Sequence, residues 1–357
     1  MSHLQLFEKD NLIMEIINYQ CIIHDFEHMP IGLRYRDVHY DDVMHGWLET
    51  RNMNIGRTNA KALLAVCGLP QNNPYTIAKM YHYATLSDCY WMKDVDEKIG
   101  WEDVSMFKNP PEKLLVKTAL FGEHQILPTQ TRVHTPELTT QGLSAKAWIR
   151  EDDSLYMYKI GKIELAASQI LDVLRIEHVP YVAVNNAEVE SYVDELHLEK
   201  IKKNGEQIVK SKLITSEDIS IVSWEDFAVC CDRNHINPYG YMNHNFEKEY
   251  YSMIVADYIL GNEDRHTANY GFFVDNKTGK IIRPYPLMDH DHAFSNKLLI
   301  TQTLEQDMLM QDAVKEALSH VPYIAITPVL EMKRPDTLNA EQWQGVLDRA
   351  EYALRDC

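Results

Sequence analysis

The sequence lacks the features of membrane-spanning, secreted and disulfide-stabilised proteins. It contains no apolar run of about 18 residues, the length that a membrane-spanning helix needs, and its polar N-terminus contains no apolar signal region. Its 6 cysteines show no C-x-x-C spacing, and the adjacent pair Cys230 and Cys231 cannot readily bridge each other. We therefore expect a cytoplasmic protein with reduced thiols.

Basic residues are scarce relative to acidic ones. The chain has 35 Lys and Arg against 53 Asp and Glu, which gives a formal net charge of −18 at pH 7. Binding to nucleic acid or to an anionic membrane depends on a basic surface, so we expect neither direct nucleic-acid binding nor a membrane partner. With 45% hydrophobic and 10% aromatic residues, the 357 residues suffice for one large or two ordinary globular domains.

The side chains that could carry chemistry are concentrated in one stretch, from Asp257 to Phe294. An apolar helical run ends there at Gly261-Asn262, since both residues tolerate the left-handed conformation that closes helices. Asp264-Arg265-His266 and Asn269 follow directly. A hairpin predicted over residues 270–283 then leads to Asp289, which an apolar Pro-Leu-Met sequence precedes. Polar side chains therefore flank an apolar hairpin.

The spacing of these polar residues fits phosphoryl transfer from a magnesium nucleotide. That reaction needs an acidic group near the acceptor hydroxyl, and a carboxamide and a carboxylate that hold the metal. In protein kinases the catalytic Asp and the metal-binding Asn are five positions apart, and Asp264 and Asn269 have the same separation. Asp289 supplies the carboxylate downstream, with Asp291 as its competitor.

A second group of candidate residues surrounds a predicted hairpin near residue 150. The loop from Thr139 to Ser144 has one glycine, Gly142, so the G-x-G-x-x-G pattern is absent. A small-residue loop ahead of two strands is nevertheless how a kinase lays backbone donors over nucleotide phosphates. The second strand ends in Lys159, where a kinase keeps its phosphate-binding lysine. Lys162 competes for this role, but only Lys159 lies in the alternating strand pattern.

The acid that would pair with this lysine begins the next predicted helix, which runs from Glu164 to Leu174. Its apolar residues recur at helical spacing, and Glu164 sits in the first turn. The helix dipole also favours a carboxylate at that place, so Glu164 is either the partner of Lys159 or an ordinary N-terminal helix acid.

Together these motifs resemble the HipA-like serine/threonine kinases. The resemblance rests on Gly-Asn-x-Asp-Arg-His-x-x-Asn-Tyr-Gly from Gly261, on Pro-Leu-Met-Asp ending at Asp289, and on Thr-x-x-Gly-x-x-x-Lys from Thr139. It implies an ATP-dependent protein kinase that uses ATP and Mg²⁺ and acts on a protein substrate. Family members are often toxins, so the resemblance also implies an antitoxin protein as a partner.

The resemblance assigns a role to each candidate residue. Asp264 would orient the acceptor hydroxyl and accept its proton, His266 would brace the catalytic loop, and Asn269 would complete this catalytic set. Asn269 and Asp289 would hold Mg²⁺. The nucleotide phosphates would be bound by the loop and by an ion pair, through Thr139, Gln141, Gly142, Leu143, Ser144, Lys159 and Glu164.

Other interpretations of the same residues stay open. Phosphatidylinositol kinases share the Asp-Arg-His-x-x-Asn loop, so a lipid kinase is one alternative. A metal-dependent phosphohydrolase could use the histidines and aspartates between residues 264 and 292, because dense His/Asp clusters bind divalent metals. It leaves Lys159 and the Asp–Asn spacing without explanation. Two further alternatives are a non-catalytic nucleotide-binding module and a surface loop in which these residues only form turns.

The predicted fold class is α+β, two-lobed and protein-kinase-like, with an N-terminal α/β accessory domain at 1–125. The kinase domain at 126–357 would have a small β-rich N-lobe at 126–217 and a helical C-lobe at 218–357. Outside the motifs, the pattern predicts a strand over 190–194, a charged connection over 196–204 and an irregular stretch over 234–245.

Overall fold

A computed structural model describes residues 3–69, 73–109, 111, 113–124, 135–297, 300–301, 303–305 and 307–356. The strands are β1 His3–Glu8, β2 Asn11–Ile17, β3 Gln20–Ile23, β4 Tyr90–Asp94, β5 Lys146–Glu151, β6 Ser154–Gly161, β7 Val182–Ala183, β8 Gln207–Lys212, β9 Ile219–Ser223, β10 Gly271–Asp275, β11 Lys280–Pro284, β12 Ile300–Thr301 and β13 Met308–Leu309. The α-helices are α1 Ala60–Val66, α2 Pro74–Met80, α3 Trp101–Val104, α4 Leu115–Phe121, α5 Ile163–Leu174, α6 Asn186–Val189, α7 Glu195–Lys203, α8 Trp224–Arg233, α9 Pro238–Leu260, α10 Met310–His320, α11 Thr327–Glu331 and α12 Ala340–Asp356.

Within this described part, the strands form sheets in the orders β3-β2-β1-β4, β5-β6-β8-β7, β11-β10-β9 and β12-β13. β5 and β6 are antiparallel, and their register pairs Glu151 with Ser154 and Lys146 with Lys159. None of the described helices has the length and apolar character that a membrane crossing requires.

The chain divides into two compact units. Unit 1 comprises Met1–Ile160, Val184–Val222 and Phe273–Ile282, and unit 2 comprises Gly161–Ala183, Ser223–Phe272 and Arg283–Cys357. In unit 1, one apolar core lies on the sheet of β1 to β4 and another joins α1, α4 and the β5–β6 hairpin. In unit 2, nearly every residue of α9 from 250 to 260 is buried, as expected of a central core helix.

The elements predicted around the candidate sites are confirmed. The hairpin near residue 150 is β5–β6, the helix from Glu164 is α5, the apolar helical run ends at Gly261, and the following hairpin is β10–β11. The predicted domain boundary at 125 and 126 lies outside the described residues and stays a prediction. Unit 1 includes residues on both sides of it.

Three predictions outside the motifs are wrong. Residues 190–194 form no strand, and the charged segment after them is the helix α7, because the Asp194 side chain accepts a hydrogen bond from the His197 amide and caps it. The stretch expected to be irregular, 234–245, contains the first two turns of α9. Asn237 caps that helix, Pro238 opens it, and a non-helical residue, Phe246, kinks it.

Candidate active site

The loop that follows α9 begins at a glycine that no other residue could replace without strain. Gly261 closes the helix with a φ of +60°, and a Cβ there would collide with the Ser295 carbonyl and the Arg349 guanidinium. The loop is then fixed by Asn262, whose amide nitrogen donates to Asp257 Oδ1 at 2.9 Å. Asn262 Oδ1 accepts a hydrogen bond from the Asp264 amide at 3.3 Å. The backbone of Asp264 therefore has a defined position.

Arg265 ties this loop to the segment that carries Asp289. Its guanidinium binds the buried Asp257 carboxylate, with Nε and Nη2 both 3.0 Å from a carboxylate oxygen. Nη1 donates to the Asn269 carbonyl at 3.0 Å and to the Met288 carbonyl at 2.8 Å. Burial by itself lowers the pKa of Arg265, but the Asp257 carboxylate outweighs it and holds the pKa above its ordinary value. Arg265 is therefore a charged strut inside unit 2.

Asn269 and His266 stabilise the turn of the loop that follows α9 in different ways. The buried Asn269 donates from Nδ2 to the Asp264 carbonyl at 3.1 Å, so its amide oxygen is the atom that can ligate a cation. The exposed His266 accepts a hydrogen bond at Nδ1 from the Ala268 amide at 3.3 Å. Asp264 and Asn269 thus lie at the two ends of one hydrogen-bonded turn.

Asp289 stands in a strained backbone position. Its φ is +60°, a left-handed value that Asp and Asn adopt more readily than other side chains, and such outliers concentrate at functional sites. Leu287 holds the preceding chain in place, because its carbonyl accepts from the Val179 amide at 2.8 Å and its amide donates to Glu177 at 3.2 Å. The neighbouring His290 is buried and lies 3.0 Å from Arg265 Nη2, which suits a structural role.

The carboxylates of unit 2 form two groups that share Asp291. Glu164, Asp289 and Asp291 have ligand atoms within 4.8 Å of one another, and so have Asp264, Asp291 and His292. The buried Glu164 therefore faces the Asp289 segment. Asp291 therefore links Asp264 to the carboxylates of Glu164 and Asp289.

This set of side chains suits a hard divalent cation. Mg²⁺ prefers oxygen ligands, and Asp289, Asp291 and Glu164 offer carboxylates, while Asn269 offers an amide oxygen. Close carboxylates also repel one another, and a bound cation would neutralise that repulsion. The arrangement therefore fits the metal that the sequence motifs imply.

In unit 1, the candidate phosphate loop is held by the segment of residues 50–58, which we call the clamp. The Met53 amide donates to the Leu138 carbonyl at 2.8 Å, and the Thr58 amide donates to the Leu143 carbonyl at 2.9 Å. Gln141 Nε2 donates to the clamp carbonyls of Thr50, at 2.8 Å, and Asn52. The clamp and the loop are thus joined at several points.

A buried arginine reinforces the clamp. Arg57 donates to the Glu137 carbonyl and, at 3.4 Å, to the Ser144 carbonyl. Burial lowers the pKa of Arg57 to about 10, and the nearby Glu137 carboxylate opposes that shift. Burial also raises the pKa of Glu137. The Thr139 hydroxyl is buried beside them and donates to the Pro136 carbonyl at 3.2 Å, so it faces the protein interior.

Lys159 and Glu164 belong to different units. Lys159 is buried in β6 of unit 1, and Glu164 lies in the first turn of α5 in unit 2. The ion pair predicted between them stays a prediction. Within unit 1, Gly142 has a φ of +97°, and Leu143 exposes its side chain to solvent.

Sequence reasoning missed the residues that hold the site together. Arg265 stands inside the Asp-Arg-His motif, yet its contacts with Asp257 and Met288 depend on the fold. One signal was legible, because Asp257 is a lone charge in an otherwise apolar helical run, and such a charge is almost never buried unless it is paired. In the kinase interpretation Asp291 was named only as a competitor of Asp289, whereas the structure groups it with both Asp289 and Asp264.

Comparison with known proteins links this geometry to kinases. The family model "Phosphatidylinositol 3- and 4-kinase" matches residues 164–326. HipA of a Shewanella oneidensis MR-1 toxin–antitoxin system, solved with HipB and operator DNA, has 11% sequence identity and a TM-score of 0.52, over 98% of this chain and 96% of that chain. The proinflammatory kinase CtkA of Helicobacter pylori has 16% identity and a TM-score of 0.40, over 58% of this chain and 89% of that chain. No curated protein matches the chain.

The family model and the similarity to HipA confirm the predicted fold class and leave the substrate open. The similarity to HipA extends over nearly all of both chains, but at 11% identity it speaks for the fold alone. The region of the family model contains Glu164, Asp264, Asn269 and Asp289, so the candidate active site of unit 2 lies inside it. The chain therefore has a two-lobed, protein-kinase-like fold, and its residues 164–326 match a kinase family model.

Proposed function

We propose that the protein is an ATP- and Mg²⁺-dependent protein serine/threonine kinase. One observation carries the proposal: Asp291 belongs both to the group that contains Asp264 and to the group that contains Glu164 and Asp289. A carboxylate that could act as the base and a set of oxygen ligands for a metal therefore occur together in unit 2. Phosphoryl transfer needs this combination, because its catalysis consists mainly of positioning and charge stabilisation.

In this proposal each residue has one task. Asp264 accepts the proton of the acceptor hydroxyl and orients that hydroxyl toward the γ-phosphate. Asn269 and Asp289 hold Mg²⁺, which when bound neutralises charge on the nucleotide phosphates. Lys159 and the backbone of the 139–144 loop bind those phosphates, and Arg265 keeps Asn269 and the Asp289 segment in register.

Replacing Asp264 by asparagine tests the base. We expect phosphoryl transfer to fall by about 10²–10⁴-fold, the usual contribution of a general base, because asparagine cannot accept the proton. The fold should be retained, since Asp264 is fixed through its backbone amide and carbonyl. The measurement is transfer from γ-labelled ATP with Mg²⁺ to proteins of a cell lysate.

The matched control is Asp312→Asn, which removes one exposed carboxylate from the first turn of α10 in the same unit. It should transfer label at the rate of the unchanged protein. Asp264→Asn protein that labels lysate proteins as fast as this control would remove Asp264 from the proposed mechanism.

Replacing Lys159 by methionine tests the phosphate-binding lysine. We expect a loss of transfer of about 10²–10³-fold, the magnitude for removing one preorganised donor, with the fold intact. Lys162→Met is the control, because Lys162 lies three positions further on, next to the start of α5. If Lys162→Met is the inactive variant and Lys159→Met is active, the assignment of the lysine is wrong.

A lipid kinase is the second candidate, and the family model that matches residues 164–326 favours it. The formal charge of −18 disfavours work at an anionic membrane. Incubation with γ-labelled ATP, in parallel with lysate proteins and with phosphatidylinositol vesicles, separates the two. Label in protein supports our proposal, label in lipid supports the second candidate, and label only in free phosphate supports a phosphohydrolase.

The proposal extends to partner and location. HipA, whose fold this chain shares, was solved with HipB, so we include an antitoxin protein as a partner. The described cysteines are free thiols, which agrees with a reducing, cytoplasmic location.

A further inference from the structure

Unit 2 contains a cavity beside the loop that carries Asp264. Its volume is about 420 Å³, and both Gly261, which begins the loop, and Ser295 line it. The Ser295 hydroxyl donates to Glu263 Oε2 at 2.9 Å, and Glu263 directly precedes Asp264. Since a residue spans at most about 3.3–3.6 Å, the backbones of Gly261 and Asp264 lie within about 11 Å of each other. A molecule whose hydroxyl lies at Asp264 can therefore also reach the cavity.

Helix α12 forms one wall of the cavity with a stripe of polar residues. Glu341, Gln344 and Asp348 line the cavity and follow one another at spacings of three and four, so they lie along one face of the helix. Gly345 lies within this stripe, and a Cβ there would collide with the Asn296 side chain. The glycine therefore lets the segment that contains Asn296 approach α12 closely and close the cavity on that side.

The two cations that line the cavity are already engaged. The Arg349 guanidinium donates from Nε to the Ile259 carbonyl at 3.1 Å and from Nη1 to the Ser295 carbonyl at 3.0 Å. The Lys297 ammonium is paired with the Glu263 carboxylate at 3.8 Å. Both positive charges thus hold parts of unit 2 together.

The carboxylates of α12 can accept a further cation. Gln344 Nε2 donates to Asp348 Oδ1 at 2.8 Å, which leaves the second oxygen of Asp348 available. Among the residues that the structure describes, the exposed Glu341 carboxylate has no hydrogen-bond or ion-pair partner. Leu309 and Met310 add apolar surface to the same cavity. Lysine and arginine side chains match this combination, because they have an apolar stem and a cationic head.

We infer that this cavity binds a lysine or arginine side chain of the acceptor protein, within about four residues of the serine or threonine that is phosphorylated. The inference rests on the proposed kinase function and deepens it, because it names the class of acceptor. The carboxylates of α12 would attract the cationic head, and the apolar surface would pack against the stem. The formal charge of −18 would also favour the approach of a basic acceptor.

The test is Glu341→Gln combined with Asp348→Asn, incubated with Mg²⁺, γ-labelled ATP and a dephosphorylated cell lysate. Mass spectrometry maps the phosphorylated sites, and Asp264→Asn protein gives the background. We expect the sites of the unchanged protein to carry a lysine or arginine at a fixed distance from the acceptor. The double variant should label these sites about 10-fold more slowly, the loss for a hydrogen bond to a charged group.

Two further variants make the test specific to charge and position. Asp348→Lys should label the same sites still more slowly than the double variant, because it places a like charge beside the basic side chain. The control Glu351→Gln removes an exposed carboxylate of α12 that does not line the cavity, and it should label the sites at the unchanged rate. The melting temperature and the dissociation constant of ATP should be the same in the double variant as in the unchanged protein.

Three results would overturn the inference while leaving the kinase function intact. The first is a set of labelled sites without a neighbouring basic residue. The second is unchanged labelling of basic sites by the double variant. The third is slower labelling together with a lower melting temperature, which would show that the two carboxylates stabilise α12 and bind no substrate. If no site is labelled above the background, the proposed kinase function fails, and the inference fails with it.

Discussion

Asp289→Asn protein is expected to have no measurable Mg²⁺-dependent phosphoryl transfer. The carboxylate is one of the two ligands that we assign to the metal, and losing a metal-based contribution removes several kcal/mol of transition-state stabilisation, or about 10³-fold in rate for every 4 kcal/mol. Asparagine tolerates the φ of +60° at this position as well as aspartate does, so the substitution changes the ligand without adding backbone strain. Label transfer at a series of Mg²⁺ concentrations measures the effect.

Asp291→Asn is the matched comparison. Asp291 belongs to both carboxylate groups, so we expect its substitution to raise the Mg²⁺ concentration needed for half-maximal activity while leaving measurable transfer. If Asp291→Asn is inactive and Asp289→Asn is active, the metal carboxylate is Asp291. Circular dichroism of both proteins should match that of the unchanged chain, because neither side chain contributes to the apolar core.

The parts of the fold that could be predicted are those whose signals are local. Gly261 ends α9 in a left-handed conformation that its lack of a side chain allows, and the apolar pattern before it is helical. The turn between β5 and β6 contains only Asp152 and Asp153, and a two-residue turn fixes the register of a hairpin. Counted outward from that turn, the register pairs Glu151 with Ser154 and ends with Lys146 opposite Lys159.

The parts that could not be predicted depend on tertiary contacts. The first turns of α9 contain Asn, Gly and Pro, which favour turns in isolation. They continue as a helix because Tyr239 and Tyr241 pack on Trp224 and Phe227. The predictable signals there were Asn237 and Pro238, a cap followed by a proline at the first helical position.

In the candidate site, too, some features follow from local sequence signals and others depend on tertiary contacts. The five-residue spacing of Asp264 and Asn269 is local and was legible, but the grouping of Glu164 with Asp289 and Asp291 joins residues more than a hundred positions apart. Periodicity carries no information on such distant pairs. The clamp on the phosphate loop is likewise invisible in the sequence, because most of its hydrogen bonds use backbone carbonyls, which every residue type has.

Arg265→Met is expected to lower the free energy of unfolding by about 3–5 kcal/mol, the cost of removing one partner from a buried ion pair. The Asp257 carboxylate would remain buried and keep its hydrogen bond from the Asn262 amide, but it would lose the guanidinium. Transfer activity should fall as well, since Asn269 and Met288 lose the donor that holds their carbonyls. Urea denaturation measures the first effect, and label transfer below the unfolding transition measures the second.

Two variants test whether the loss of stability arises because the Arg265–Asp257 ion pair is buried. Arg283→Met removes an exposed pair with Glu177 in the same unit, and it should cost no more than about 1 kcal/mol, as surface ion pairs do. Arg265→Met combined with Asp257→Asn should be less unstable than the sum of the two single substitutions, because the buried charge is then removed together with its partner. If the losses in the free energy of unfolding are strictly additive, or if they are equal for Arg265→Met and Arg283→Met, the Arg265–Asp257 pair does not stabilise the protein as a buried ion pair. A fall in activity would then need a different cause, within the loop that follows α9.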